Sequence, residues 1–301
     1  AFALEISKNI RQETDEQGRL KLYSAVAGEL LYDGNSLDIA AVHAVKGDIG
    51  PATGNVKFDG PVNITGSVLP GFFVIASGDI KIAEGIEAAL VSSEKAIHVN
   101  AGIKGGGKAA IRARKNVTAA FAEQVAIMSV EDITVKNACM QCTIKCNGRL
   151  SLETEKGYLI GGTTKARGGV NAANIGSKNG AKTAISFGQD YLIGDKIELE
   201  EKELEKLKTA AVKTDALIRE AEKSQDLGAL QKHRAKKVQI LKLNERRTER
   251  LFWLREKFEQ HFDSEIAVRG IAYPGVVLES HGRTYDLTVE KRKVVFVFNQ
   301  E

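Results

Sequence analysis

The sequence predicts a mainly β chain built around a parallel, right-handed, three-sided β-solenoid, with an antiparallel coiled-coil helical hairpin inserted before C-terminal capping strands. Three observations carry this. Short apolar-polar-apolar triplets start at Val56, Val62, Val68, Val74, Ile80 and Ile86, a step of six residues. Triplets assigned to one face, starting at Val62, Ile80, Ile97, Val117, Ile133, Leu150 and Val170, recur at intervals of 16 to 20 residues. After Gly194 the hydrophobic period changes from two to about 3.5, and glycine almost vanishes until Gly270.

The first 50 residues contain strand signals at Leu20-Lys21-Leu22-Tyr23 and Leu37-Asp38-Ile39-Ala40, and are expected to cap one end. Residues 51–194 form the solenoid. A sister series, Val68, Ile86, Ile103, Phe121, Cys139, Leu159 and Ile175, keeps nearly the same interval as the first, so seven stacked coils are expected. A single coil has too few inward side chains to exclude water, whereas superposed coils form continuous apolar columns. The strand period of two puts the outer residues of each triplet inside and the middle one outside. The middles agree, being Asn63, Lys81, His98, Thr118, Thr134, Ser151 and Asn171. Glycines such as Gly66, Gly71, Gly78, Gly148 and Gly161 fall at the corners, where positive φ is expected. The uneven coil length favours a right-handed winding over a strict hexapeptide left-handed helix.

Residues 195–265 form the hairpin. Its first arm, about residues 198–223, steps through Leu204, Leu207, Ala211, Thr214, Ile218 and Ala221. Ser224-Gln225-Asp226 is the turn, with Asp226 as N-cap of a second arm reaching about Phe262. Leu230, Ile240, Leu243, Leu251, Leu254 and Phe258 are its seam. Residues 231–250 hold eight Lys or Arg against two Glu, complementary to the Glu-rich start of the first arm. Residues 266–301 return to β structure, with Tyr273-Pro274-Gly275 as a turn and strands at 276–278, 285–289 and 294–298 that cap or extend the solenoid.

Composition narrows the function. With 301 residues and 43% hydrophobic content the chain is long enough for a large core. A net charge of +4, from 43 basic and 39 acidic residues, falls short of a nucleic-acid footprint. No apolar run approaches the roughly 20 residues of a membrane span. Three clustered cysteines make no disulfide framework and suit a reducing cytoplasm. The absence of an initiating Met reads as a fragment or a processed chain.

Chemical constellations are few. Gly102-x-x-x-x-Gly107-Lys108 is followed by Ala109 where a phosphate loop needs Ser or Thr, and by a strand pattern where it needs a helix, so it reads as a solenoid corner. Cys139-x-x-Cys142-x-x-x-Cys146 offers three soft metal ligands and no fourth nearby; the shared parity of Cys142, Ile144 and Cys146 supports a core role instead. His98 is a surface residue by its position in the triplet. Asp48, Asp59 and Asp79 occupy separate corners at irregular spacing, unlike a calcium cluster. The basic second arm pairs with the acidic first rather than with a polyanion, since aromatic residues are not interleaved with its charges. Leu251-Phe252-Trp253-Leu254 cannot all face one helix, so the solenoid flank or a partner protein is expected to cover part of it. Phe252, Trp253, Arg246, Arg247 and Arg250 are the candidate protein-binding residues; no catalytic residue or cofactor is expected.

With these residues in view, the chain resembles the flagellar assembly protein A (FapA) β-solenoid family of bacteria. The likeness is carried by Gly47-Asp48-Ile49, Thr53-Gly54-Asn55-Val56, Gly60-x-Val62-x-Ile64-x-Gly66-x-Val68, Gly71-Phe72 and Gly78-Asp79-Ile80. It continues through Glu87-Ala88, Gly102-Ile103-Lys104-Gly105, Gly161-Gly162 and Asn174-Ile175-Gly176-Ser177 into the hairpin and Tyr273-Pro274-Gly275, covering nearly the whole chain. The sequence departs from it at Lys95-Ala96, Lys115-Asn116 and Glu131-Asp132, where the family more often has a glycine-containing corner. Members usually carry an additional N-terminal domain, which this chain is expected largely to lack. The resemblance implies a cytoplasmic protein at the cell pole that supports polar flagellum assembly by binding other proteins, among them a sugar phosphotransferase component. The expected function is therefore a non-catalytic scaffold or adaptor, with oligomers allowed. The alternatives are a polymer-forming cytoskeletal solenoid and a solenoid enzyme acting on carbohydrate or acyl groups.

Overall fold

The structure is a computed structural model that describes residues 4–26 and 28–299. The chain divides into two compact units, one of Ala1–Gly188 with Asp263–Glu301 and one of Gln189–Phe262.

The first unit is a parallel β-solenoid of about eight turns. Three ladders run through it. In the first, His43, Val62, Ile80, Ile97, Val117, Ile133, Leu150, Val170 and Ile266 each meet the next in register, which contains the whole series read from the sequence. The second passes through Ile49, Val68, Ile86, Ile103, Ala122, Cys139, Leu159, Ile175 and Ala272. The third passes through Val56, Val74, Val91, Ile111, Ile127, Ile144, Thr164, Ile185 and Leu278. Nearly all of these side chains are buried and belong to one continuous core. Aliphatic side chains stack on one another at most steps, the exceptions being His43 on Val62, Cys139 between Ala122 and Leu159, and Thr164 between Ile144 and Ile185, so each coil completes the burial of its neighbours.

The second ladder corrects one expectation. Ala122, not Phe121, points inward. Strand Val117–Ser129 slips against Ile133–Cys146 between Ala119 and Phe121. Phe121 then lies outside, opposite Gly102, where a Cβ would overlap its ring. The larger side chain takes the space that a glycine leaves, and the small one enters the packed column.

The corners correct another. Gly71, Gly161 and Gly162 do have positive φ, at 84°, 66° and 75°, but Gly66, Gly78 and Gly148 are not among the residues with positive φ. A Cβ on Gly66 would sit 2.6 Å from the carbonyl carbon of Gly47, and one on Gly148 2.6 Å from that of Glu131. Close approach of the preceding coil, rather than backbone conformation, requires glycine there. Conversely, Ala88, Gln124 and Gln141 hold left-handed corners at φ 41°, 47° and 52° without being glycine.

Polar corner residues tie one coil to the next. Asp48 Oδ1 accepts the Ser67 backbone N–H at 2.7 Å, and Asp79 Oδ1 accepts that of Ala96 at 3.1 Å. Asn116 Oδ1 accepts the Asp132 N–H at 3.0 Å, and Asp132 Oδ1 that of Arg149 at 2.7 Å. Two of the corners that depart from the family pattern are thus held by an amide and a carboxylate.

After the helical unit the strands resume. Glu265–Ala272 runs parallel to Gly169–Ala172, and Val276–Ser280 parallel to Thr183–Phe187. Lys291–Val297 and Arg283–Leu287 then lie antiparallel on these two strands. At the other end, Ser36–Ala40 pairs with Glu5–Ile6 and Glu29–Tyr32, and Ile10–Thr14 forms a ribbon with Leu20–Ser24. His43 Nδ1, at the start of the first ladder, lies 2.6 Å from Glu29 Oε2.

The second unit is a pair of helices, α1 (Tyr191–Lys223) and α2 (Leu227–Phe258). Asp190 Oδ1 caps α1 by accepting the Leu192 and Ile193 N–H groups, and Asp226 caps α2 through Ala229. The helix α1 begins before the start read from periodicity because Tyr191 is buried and meets the Phe258 ring edge-on, centroids 6.2 Å apart. Gly194, read as a break, lies inside α1, its Cβ position 3.7 Å from the Phe258 ring. Ion pairs Glu200–Arg247, Asp215–Lys237 and Glu222–Arg234 descend one arm as they ascend the other, so the arms are antiparallel.

Candidate functional site: the exposed face of the second helix

Along α2 the buried residues are Ile240, Leu251 and Leu254, with Asn244, Arg247 and Phe258 partly buried between and beyond them. Steps of three and four through 240, 244, 247, 251, 254 and 258 define the inner stripe. Leu243, assigned to the seam from sequence, is therefore on the outer side and 43% exposed. The misplacement came from choosing the apolar neighbour; the correct heptad position is filled by Asn244.

The same geometry divides the apolar run at 251–254. Leu251 and Leu254 enter the seam, while Phe252 remains 72% and Trp253 54% exposed. Lys257 Nζ lies 6.0 Å from the Trp253 ring centroid. Lys236, Leu243, Arg246 and Trp253 follow one another at helical spacing, forming a basic and aromatic outer stripe. Lys232, Lys236, Lys242 and Arg246 make no ion pair among the described residues.

Arg247 and Arg250 sit differently from Arg246. Glu200 of α1 is 3% exposed and receives Arg247 Nη1 at 2.8 Å and Arg250 Nε at 3.3 Å. Arg247 also approaches Glu203 at 3.8 Å. The structure therefore brings Arg247 and Arg250 together on one buried carboxylate, Arg247 half-buried and Arg250 reaching it from the exposed side, and leaves Arg246, Phe252 and Trp253 without a partner on α1 among the described residues. The outer pairs Lys237–Asp215 at 2.6 Å and Arg255–Glu201 at 2.6 Å are solvent-exposed, where such contacts contribute little to stability.

The three thiols are buried and unbridged. Cys139 lies in the second ladder between Ala122 and Leu159. Cys146 lies beside the third, between Ser129 and Ala166, and Cys142 precedes it opposite Gly162. Burial pushes the Cys139 thiol well above its ordinary value, with Cys142 adding to the effect. Burial likewise raises Cys142 and pushes Cys146 up to about 12, the latter helped by Asp132. A thiol held protonated is a poor nucleophile and a poor metal ligand. Among the described residues no three His, Cys, Asp or Glu side chains gather into a metal-holding group.

His98 Nδ1 is 2.9 Å from Thr118 Oγ1 on the outer side of the first ladder. Lys108 closes a glycine bulge between Lys104 and Ala109, where strand Gly102–Ala113 slips against its neighbour. Asp48 and Asp79 are spent on backbone N–H groups, and Asp59 accepts from Ser77 Oγ at 2.5 Å. Among the described residues no helix is long and apolar enough to cross a membrane.

In comparison with known families, the family model described as the Flagellar Assembly Protein A beta solenoid domain matches residues 41–301. No curated protein and no solved structure matches the chain.

Proposed function

The chain belongs to the Flagellar Assembly Protein A (FapA) β-solenoid family, and from that premise we propose that it is a non-catalytic scaffold or adaptor in bacterial flagellum assembly, acting by protein–protein binding. The solenoid is the rigid platform, the N-terminal strands close one end, and the outer face of α2 is the recognition surface. One observation carries the reading: Phe252 and Trp253 stand exposed beside Arg246 on a helix whose own seam is already filled by Leu251 and Leu254. Exposed aromatic residues and arginine are the side chains that most often anchor protein interfaces. The unpaired lysines along the same stripe favour an acidic partner surface. A sugar phosphotransferase component and other proteins of the flagellar machinery at the cytoplasmic face of the cell pole are the candidate partners.

The test is complementation of flagellation in a bacterium lacking the protein. Trp253→Ser with Phe252→Ser and Arg246→Glu is expected to abolish flagellum assembly while the purified variant keeps the wild-type melting temperature. His98→Ala, Lys108→Ala and Cys142→Ser are expected to complement fully. The opposite pattern, with the surface variant competent and any of the latter three inactive, would refute the scaffold reading.

A further inference from the structure

Strands Arg283–Leu287 and Lys291–Val297 end the first unit, and each pairs with a coil strand along one edge only among the described residues. Between them lies an open cleft of about 510 Å³, lined chiefly by Phe187, Leu278, Tyr285, Val294, Phe296 and Phe298. We propose that this cleft is a docking groove for an extended, acidic segment of a partner protein with alternating apolar side chains, taken up by strand addition.

The backbone supplies the first argument. A free strand edge presents unpaired N–H and C=O groups, and an added strand satisfies them while its alternate side chains enter pockets. Here the pocket continues the core: Leu278 belongs to the third ladder and Phe187 to the same buried cluster. Val295 and Val297 are 54% and 66% exposed, alternating with the partly buried Val294 and Phe296, so the outer face of the last strand is apolar and uncovered.

Charge decides the occupant. Lys291 and Arg283 line the cleft from its two strands, and Lys293 follows on the same strand as Lys291, while Arg292 between them is paired with Glu290. Against these cations stands one lining carboxylate among the described residues, Glu279, while Glu290 is neutralised by Arg292. Glu279 Oε1 accepts the Gly282 N–H at 3.1 Å, and Glu290 Oε1 meets Arg292 Nε at 2.8 Å. Asp286 alternates with Tyr285 and Leu287 along its strand and so points away from their side. Lys293, with φ 49°, stands at a register shift opposite the step from Val268 to Ile271. A second copy of this end, related by a twofold axis, would set these cations against themselves, which edge-strand lysines are known to prevent. An acidic strand meets them with opposite charge, and the apolar residues at 294–297 remain available to it.

This site is distinct from the α2 surface, and its test does not depend on that surface. The probe is a fluorescein-labelled ten-residue peptide of alternating Glu and Val, titrated with the full chain and followed by anisotropy, beside the same peptide with Lys in place of Glu. Saturable binding of the Glu peptide is expected. It should weaken by about tenfold or more in Lys291→Glu with Lys293→Glu, a surface variant checked for wild-type melting. Trp253→Ser with Phe252→Ser should leave it unchanged. Absence of saturable Glu-peptide binding, or equal affinity for the Glu and Lys peptides, would overturn the proposal. So would concentration-dependent light scattering that the charge reversal abolishes, because the occupant would then be a second copy.

Discussion

The carboxylate of Asp132 receives the backbone N–H of Arg149, one coil further along, at 2.7 Å. Asn116 makes the same contact to Asp132 itself, and Asp79 to Ala96. These side chains bridge coils at a corner where the strand ladders are interrupted, so each replaces a hydrogen bond that the turn would otherwise forfeit.

Removing that bridge has a graded cost. Asp132→Ala should lower stability by about 1–2 kcal/mol because the Arg149 N–H loses its acceptor, whereas Asp132→Asn, which keeps an oxygen in place, should cost less. Urea unfolding of the two variants, compared at equal m-value, gives the answer.

Two glycines separate two mechanisms. Gly71 has φ 84° and open space around its Cβ position, so Gly71→Ala should cost only the backbone term of about 1–2 kcal/mol. Gly148 is not a positive-φ residue, but its Cβ would lie 2.6 Å from the Glu131 carbonyl carbon. Gly148→Ala should therefore be the more damaging of the two, by forcing adjacent coils apart. Thermal melts that rank them in the reverse order would contradict the assignment.

Glu200 is the buried partner of Arg247 and Arg250. Glu200→Ala should destabilise the hairpin by about 1.5–3 kcal/mol, since the half-buried Arg247 loses its charged hydrogen-bond acceptor and keeps only Glu203 at 3.8 Å. Replacing Glu200 and Arg247 together by Leu should recover most of that loss. Circular dichroism at 222 nm during unfolding of the full chain reads both.

The thiols give a pH dependence with a definite sign. All three are raised in the folded state, Cys146 to about 12, against an ordinary value of 9.0. The folded chain then holds protons that the unfolded chain releases, so this contribution is complete below pH 9 and is lost as pH rises from 9 towards 12. Cys146→Ser or Cys146→Ala should flatten the decline of stability across that interval. A thiol reagent at pH 8 should label none of the three quickly in the native chain, and all of them in denaturant.

Much of the solenoid was legible because its signal is redundant: every coil repeats the same inward positions, and Val62, Ile80, Ile97, Val117, Ile133, Leu150 and Val170 fell on one ladder as read. Phe121 escaped because hydrophobicity alone cannot tell which of two neighbours points inward when a strand slips by one residue. The reason for the corner glycines escaped because contact with the preceding coil is not a local property. On the hairpin, Asp226 as N-cap and the charge complementarity were readable, while the polar seam residues Asn244 and Arg247 were not. Their presence breaks the apolar rule that periodicity reads; the position of Glu200 on the facing arm explains Arg247, and nothing in the structure explains Asn244.

Glu265 pairs directly with Gly169, so the final winding resumes only after the entire Gln189–Phe262 excursion has been made. Gln189 Nε2 donates to the Phe258 carbonyl at 3.1 Å, which holds the two ends of that excursion side by side. The entropy of closing so long a detour is thereby offset by helix pairing that runs from the turn at Ser224 and Asp226 out to a contact 69 residues apart in sequence. With its two ends fastened together in this way, the 74-residue detour is spanned like a short connector between neighbouring windings.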